Sequence, residues 1–447
     1  MSTLALRSPA IPQFARAESA GRLLNRNFVL LSQAQLVSQF GNQAFTIAMM
    51  AWTIETTHSA TMSGLMVMAG VLPIVLLGPL TGTLADSRRS KLAIVVTCDL
   101  VAGALVLLLA VGFVAGPGAW RPAMLFVVAL LIGVCNAFFD PALNAFVPDL
   151  VPREHLEAAN GFRQSSRQVT ILSAQGLGGI LYATVGPAAL FLIDGVSFLF
   201  AGATESLIQP DRSAEASRSS IDRPVDRSAE ASRPSSPNGA RAFSRAIEGF
   251  RYIAAQPGMI GFLVMTSIFN ALLMPMSLLL PVYATANLQS GVRWYGFLLA
   301  AISAGATAGG MLASASRLTA SGSMRRAALI AAFASLAAAL AAVGQVRSRE
   351  IALAILFVTG ALSGMINVLV LSIIQRQTSV EFRGRVLGLH AMMTRILVPI
   401  GLVGGGALAD VTGRNVPLVY GVCGALALAN VIVLAGRRTT RAFLASA

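Results

Sequence analysis

The sequence predicts an all-α membrane protein with twelve transmembrane helices, arranged as two pseudo-repeats of six helices each. Three observations support this prediction. Hydrophobic residues make up 55% of the chain and charged residues only 12%, whereas about 25% of the residues in an ordinary soluble domain are charged. Twelve apolar segments are each long enough to cross a bilayer, and short motifs recur between the two halves of the chain. This composition excludes soluble, disordered, collagen-like and disulfide-stabilised secreted proteins.

The apolar segments are roughly 20–28 residues long, and about 20 helical residues span a hydrocarbon core of about 30 Å. In lipid, only helices or closed barrels satisfy every backbone hydrogen bond, and these segments lack the alternating pattern of barrel strands. We therefore expect helices near residues 28–52, 62–84, 91–115, 120–146, 156–182, 187–208, 257–283, 294–316, 325–345, 351–375, 386–410 and 416–436.

The basic residues are distributed very unevenly between the two sides of the predicted bundle. If the N-terminal residues are cytoplasmic, only five of the 33 Lys and Arg residues fall on the opposite side. Cytoplasmic loops carry an excess of Lys and Arg, so both termini are predicted in the cytoplasm, with the helices in a bacterial inner membrane. The net charge of +14 has the same origin, because the basic residues form no stripe with interleaved aromatics that would indicate nucleic-acid binding.

Polar segments divide the chain. Residues 211–218 and 226–233 both read Asp-Arg-Ser-Ala-Glu-Ala-Ser-Arg, in a region too polar to offset its ordering entropy. Residues 241–255 place their apolar side chains on one helical face, which is typical of an interfacial helix, although a simple extension of the seventh membrane helix is the alternative. We predict a cytoplasmic tail (1–26), a first half (27–208), a disordered cytoplasmic linker (209–240), an amphipathic interfacial helix (241–255), a second half (256–436) and a second cytoplasmic tail (437–447).

The two halves share motifs at one sequence offset, which indicates a parallel repeat. Gly178-Gly179-Ile180-Leu181 aligns with Gly405-Gly406-Ala407-Leu408, and the same offset aligns Glu154 with Glu381. Parallel repeats related by an axis along the membrane normal are the plan of one large class of transporters.

The loop between segments 2 and 3 reads Gly82-Thr83-Leu84-Ala85-Asp86-Ser87-Arg88-Arg89. It resembles the loop signature of the major facilitator superfamily, with Ser87 and Arg89 departing from the common pattern. Residues 147–156 and 193–198 more specifically resemble the enterobactin-exporter and macrolide-efflux branch. The resemblance implies the major facilitator fold, a central cavity lined by helices 1, 4, 7 and 10, and a loop that locks the outward-facing state by bridging helices 2 and 11.

The chemistry of this loop is consistent with a gate, independently of the resemblance. Gly82 allows close approach of a neighbouring helix. Asp86 can lie beside a helix N-terminus, where the helix dipole favours an anion, and Arg88 and Arg89 supply countercharge. We predict Gly82, Asp86, Arg88 and Arg89 as the gating residues.

Charged residues inside the predicted spans are the candidates for proton coupling. Each costs about 2.5–3.5 kcal/mol at a helix centre on insertion scales, so a paired or functional role is the default hypothesis. The candidates are Asp99, Asp194 and Arg395. Arg395 lies too deep to reach the headgroups and should have an anionic partner, which is Asp99, Asp194 or the substrate. A purely structural role is the alternative for Asp194. Arg163 and Arg167 lie four residues apart and near enough to the cytoplasmic end to reach the headgroups.

Uncharged polar residues in the spans are candidates for the wall of the substrate cavity. Gln35, Gln39 and Asn42 form one stripe on helix 1, at spacings of four and three residues. Interhelical hydrogen bonds that serve packing are the alternative role. The predicted cavity residues are Gln35, Gln39, Asn42, Asn136, Asn270, Asn367 and Arg395.

The sequence predicts a transporter and not an enzyme. It has no phosphate-binding loop for ATP, no catalytic signature, and three His residues without metal-ligand companions. We expect proton-coupled efflux of small amphipathic compounds, drug-like or macrolide-like, by alternating access. The alternatives are an exporter of a siderophore or another anionic metabolite and, in a different class, a lipid translocator or a non-transporting membrane scaffold. The expected partners are a small-molecule substrate, protons and membrane lipids, with no nucleic acid, no metal and no cofactor besides the proton motive force. The protein is expected to be a monomer.

Overall fold

The computed structural model describes residues 24–81, 88–209, 251–291, 293–315 and 322–446, and all regular structure in these ranges is helical. The helices are α1 (Arg26–Thr57), α2 (Ala60–Thr81), α3 (Arg88–Ala115), α4 (Arg121–Leu150), α5 (156–185), α6 (187–206), α7 (Met259–Val282), α8 (Arg293–Ala315), α9 (Gly322–Val343), α10 (Arg349–Gln377), α11 (Val380–Val411), α12 (Val416–Gly436) and α13 (Arg438–Ser446). The prediction of an all-α membrane protein is confirmed.

Helices α5 and α6 form one long rod that is interrupted at Gly186. The backbone there has φ 77° and ψ 177°, which glycine adopts without steric cost, and Pro187 starts the next helix. Ten segments of the described chain are long and apolar enough to cross a membrane. That count takes the α5–α6 rod as one segment and omits α1, whose amide side chains lower its hydropathy. The number of twelve spans stays a prediction.

Within the second half, α8 and α10 pack backbone to backbone. A Cβ on Gly305 or Gly309 would collide with the backbone of α10, and a Cβ on Gly360 or Gly364 would collide with that of α8. Small residues permit such close approach between membrane helices. The first half has the same kind of contact between α2 and α4, where a Cβ on Gly133 would meet the backbone of Gly70.

The two halves meet mainly at one end of the bundle. Because successive helices run up and down, the connections 58–59, 116–120, 186, 288–291, 344–348 and 412–415 lie together at an end that we name the far end. The opposite end, where α1 begins and α12 ends, is named the tail end. A Cβ on Gly406 of α11 would lie 2.7 Å from the Ala60 carbonyl oxygen of α2, and a Cβ on Gly179 of α5 would lie 2.6 Å from the Gly296 nitrogen of α8. These glycine contacts close the seam between the halves at the far end.

The segment predicted as the second tail forms a helix that docks on the second half. Phe443 of α13 packs against Phe262 of α7, with ring centroids 5.7 Å apart. Gly258, at φ 87°, leaves no room for a Cβ beside Thr439. Residues 251–255 are helical, whereas the predicted linker from 210 onward and the rest of the predicted interfacial helix lie outside the described residues.

Candidate functional site

A polar cavity of about 590 Å³ lies among α1, α3, α4, α5 and α11. The stripe predicted on α1 faces it, because positions four and three residues apart project from one side of a helix. Five of the predicted cavity residues line it: Gln35, Gln39, Asn42, Asn136 and Arg395. Asn270 on α7 and Asn367 on α10 do not line this cavity, so the structure does not bring them together with the others.

Three guanidinium groups and two carboxyl groups share the wall of this cavity. Arg163 and Arg167 come from one face of α5, and Arg395 comes from α11 in the other half. The acids are Asp99 of α3 and Asp140 of α4. Across the described helices, no ion pair joins Arg395 to Asp99 or to Asp194. The third alternative from the sequence, a partner supplied by the substrate, therefore remains open for Arg395.

Behind the cavity wall, Asp99 meets a second acid, Glu205 of α6. Asp99 is 3% exposed and Glu205 is 0% exposed, and their carboxyl groups are within hydrogen-bonding reach of each other. The Gln35 side-chain nitrogen donates to Glu205 Oε1 over 2.9 Å. Sequence reasoning missed Glu205, because it stands at the end of the predicted segment 187–208, beside the polar linker. Glu205 is nevertheless an acid within a predicted span. The criterion that selected Asp99, a charged residue inside a span, therefore also selects Glu205.

The other predicted coupling acid, Asp194 of α6, lies outside the cavity in the α1–α6 interface. It is 0% exposed, and its carboxyl oxygens accept no well-aligned hydrogen bond within the described structure. The hydroxyl of Ser197 donates instead to the Asp194 backbone carbonyl over 2.7 Å. Gly41 of α1 packs directly on this site, since a Cβ there would lie 2.6 Å from Asp194 Oδ1.

At the far end, the Asp410 carboxylate of α11 is bound to the N-terminus of α2. It accepts hydrogen bonds from the Ser59 and Thr61 hydroxyls, at 2.7 and 2.6 Å, and from the Ala60 and Thr61 backbone N–H groups, at 2.8 and 3.0 Å. A helix N-terminus has unpaired N–H donors and a positive dipole end, so a carboxylate fits it well. This contact joins the two halves, and we name it the far-end latch.

A sequence signal for the far-end latch exists, although sequence reasoning did not use it. Residues 406–410 read Gly-Ala-Leu-Ala-Asp, which matches the Gly-x-Leu-Ala-Asp pattern of residues 82–86. The predicted gate at Gly82 and Asp86 lies outside the described residues. Arg88 and Arg89 stand at the start of α3, where only the backbone is described.

Comparison with known proteins agrees with this architecture. Macrolide efflux protein A of Streptococcus pyogenes is 25% identical over 255 residues, which are 57% of this chain and 58% of that protein, so the chain spans little more than half of the length of this relative. The multidrug efflux pump Tap of Mycolicibacterium fortuitum is 24% identical over 397 residues, covering 87% of this chain and 90% of the pump. These relatives are consistent with an efflux branch.

The fold is also shared with a solved transporter. The crystal structure of the nucleoside transporter NupG superposes with a TM-score of 0.66 at 12% identity, covering 92% of this chain and 98% of NupG. A likeness at this identity shows the fold alone. The profile of the Major Facilitator Superfamily matches residues 31–376, which is most of the chain. The protein therefore belongs to the Major Facilitator Superfamily of membrane transporters.

Proposed function

We propose that the protein is a secondary active transporter that exports small amphipathic compounds in exchange for protons, by alternating access. The observation that carries this proposal is a polar cavity in the first half, to which the second half contributes Arg395, while the halves are latched together at the far end. It would work as a monomer in a bacterial inner membrane, with both termini cytoplasmic and the far end outside. The proton motive force would be its only energy source.

The size and lining of the cavity support a small amphipathic substrate. Its volume of about 590 Å³ falls within the range of about 300–1,000 Å³ that is usual for small-molecule sites. Amide side chains from α1 and α4 offer hydrogen bonds, and Phe139, Phe162 and Phe198 offer apolar surface. The names of the efflux relatives point to the same class of substrate.

An exporter of an anionic metabolite, such as a siderophore, is the second candidate function. The observation that favours it is the excess of guanidinium groups over carboxyl groups in the cavity wall. Arginine stays charged at any working pH and binds carboxylates in a bidentate manner, so Arg395 would hold the anionic group directly.

Transport by proteoliposomes that contain the purified protein tests both candidates. Ethidium and a macrolide serve as cationic amphipathic probes, and a catecholate siderophore serves as the anionic probe. We expect an imposed pH gradient to drive movement of the cationic probes against empty-liposome controls. Movement of the siderophore alone would support the second candidate, and no flux of any probe would count against both.

A further inference from the structure

The contact between Asp99 and Glu205 brings two carboxyl groups together inside the membrane-spanning bundle. Both are more than nine-tenths buried, and Asp99 Oδ2 and Glu205 Oε2 each lack a hydrogen-bond donor in the described structure. Neither forms an ion pair with a described cation, and Lys91, on the same helix as Asp99, is bound to Asp149 over 3.2 Å. Among the described neighbours, the amide of Gln35 is the donor that reaches the pair.

Two touching carboxyl groups cannot both be ionised in a site of low dielectric without a countercharge. Like charges at contact distance repel strongly, and pairs of this kind bind one proton between them. The ionisable groups around the pair supply no countercharge at contact distance. These groups are Asp194 from α6, Cys98 from α3, Cys135 from α4, and the cavity arginines Arg163, Arg167 and Arg395.

We propose that Asp99 and Glu205 together form the proton-binding site of the transporter, holding one shared proton in the conformation described here. This inference rests on the proposed proton-coupled function and names its site. Asp99 lines the cavity, whereas Glu205 lies behind it, so Asp99 is the member that exchanges protons with cavity water. A cationic substrate beside Asp99 would replace the proton as countercharge, and the proton would leave its carboxyl oxygen for water in the cavity.

The position of Gln35 connects this site to the substrate. Gln35 lines the cavity and also donates to Glu205 Oε1, so a substrate that displaces the Gln35 amide would change the hydrogen bonding of the pair. Substrate and proton would then compete for the same site, as exchange transport requires.

The first test needs no substrate. Infrared difference spectra of the purified protein in lipid nanodiscs, recorded across a pH titration, report the C=O stretch of protonated carboxyl groups. In the wild type, we expect the C=O band to change in one titration step. In both Glu205→Gln and Asp99→Asn, this step should move to a different pH or disappear. The matched control is Asp194→Asn, which removes a buried acid outside the pair and should leave this step in place.

Glutamine at position 205 keeps the acceptor oxygen for Gln35, and size-exclusion chromatography checks that each variant is folded. An unchanged step in folded Glu205→Gln, its absence from the wild type, or its loss only in Asp194→Asn would each overturn the proposal. If Glu205→Gln does not fold, Asp99→Asn replaces it in this test, and an unchanged titration step in folded Asp99→Asn would overturn the proposal.

The second test measures coupling. In proteoliposomes matched for protein content, Glu205→Gln should lose at least about ten-fold of the ethidium accumulation that an imposed pH gradient drives in the wild type. Full gradient-driven accumulation by this variant would overturn the site. A wild type that moves no probe would count against the proposed function and would leave the infrared result standing.

Discussion

Two regions of the molecule treat carboxyl groups in opposite ways. At the far end, Asp410 receives four hydrogen bonds from Ser59 and the first two residues of α2, and they tie one half to the other. Inside the first half, Asp99 and Glu205 face each other, and among the described neighbours the amide of Gln35 is the donor that reaches them. The donors around Asp410 satisfy its charge, whereas the pair needs a proton. A carboxyl group therefore serves as a clamp where donors surround it and, in our proposal, as a proton site where donors are missing.

The largest effect is expected from Asp410→Ala, which removes the acceptor of all four hydrogen bonds in the far-end latch. Each hydrogen bond to a charged group contributes about 1.5–3 kcal/mol, so loss of four should shift the halves towards an open far end by more than about ten-fold in population. Asp410→Asn keeps one acceptor oxygen and should shift the population less. Distances between spin labels on α2 and α11 at the far end measure the shift.

Glu55→Gln is the matched control for the latch, since Glu55 accepts from the Tyr182 hydroxyl at the same end but within one half. It should leave the interhalf distances unchanged. Equal effects of Asp410→Ala and Glu55→Gln would mean that the far end is closed by general packing and not by the latch.

The second prediction concerns Asp86, the last residue of the matching motif in the sequence between α2 and α3. Asp86→Asn should reduce transport about ten-fold or more while the protein still inserts and folds, because the resemblance gives this loop the lock of the opposite conformation. The double variant Asp86→Asn/Asp410→Asn weakens the locks of both conformations. It should therefore bring the populations of the two conformations closer to those of the wild type than Asp86→Asn alone does. Flux in proteoliposomes checks this prediction, and wild-type flux in Asp86→Asn would remove that residue from the gate.

The third prediction separates substrate binding from coupling at Arg395, in the same cavity wall as Asp99. If Arg395 holds an anionic group, Arg395→Ala should lose about ten-fold in transport of an anionic probe and leave ethidium almost unchanged. Arg395→Lys keeps the charge and should retain part of the anionic flux. An equal loss for every probe, with a shifted pH dependence, would instead place Arg395 in the coupling step.

The smallest effect is expected from deleting residues 211–233 of the predicted linker. The deleted segment is polar and repeats itself, so its removal should change thermal stability by less than about 1 kcal/mol and flux by less than about two-fold. Thermal unfolding and size-exclusion chromatography follow the outcome. A protein that loses its monodisperse peak would show that the segment packs against the helices.

Residues whose role depends on periodicity or on burial could be predicted from the sequence. The stripe of Gln35, Gln39 and Asn42 reached the cavity because helical spacing fixes which side chains share a face. Asn136, Asn270 and Asn367 were selected as isolated polar residues on helices that the resemblance places at the cavity. Asn136 lines it, whereas Asn270 and Asn367 do not. Knowing that a helix borders the cavity does not fix how that helix is rotated about its own axis in a given conformation. An isolated polar residue on it can therefore point into the cavity or away from it.

The contacts that join distant parts of the chain were the hardest to predict. Asp410 binds residues about 350 positions away, and two of its four donors are backbone N–H groups that no side-chain pattern marks. Glu205 and Asp99 come from different helices, and their meeting depends on the packing of α3 against α6. Sequence reasoning identified the cost of a buried acid but not its partner.

The backbone-to-backbone seam between α8 and α10 has a mechanical consequence. With glycine at positions 305, 309, 360 and 364, no side chain lies between the two backbones that could change rotamer and absorb a displacement. A half built in this way behaves as a stiff lever. In the proposed alternating-access cycle, opening at the far end would then be accompanied by closure at the tail end. Ser303 of α8 donates a hydrogen bond to Gln175 of α5 across the two halves that would move against each other. A softer seam would let one end move without the other, and the protein would leak.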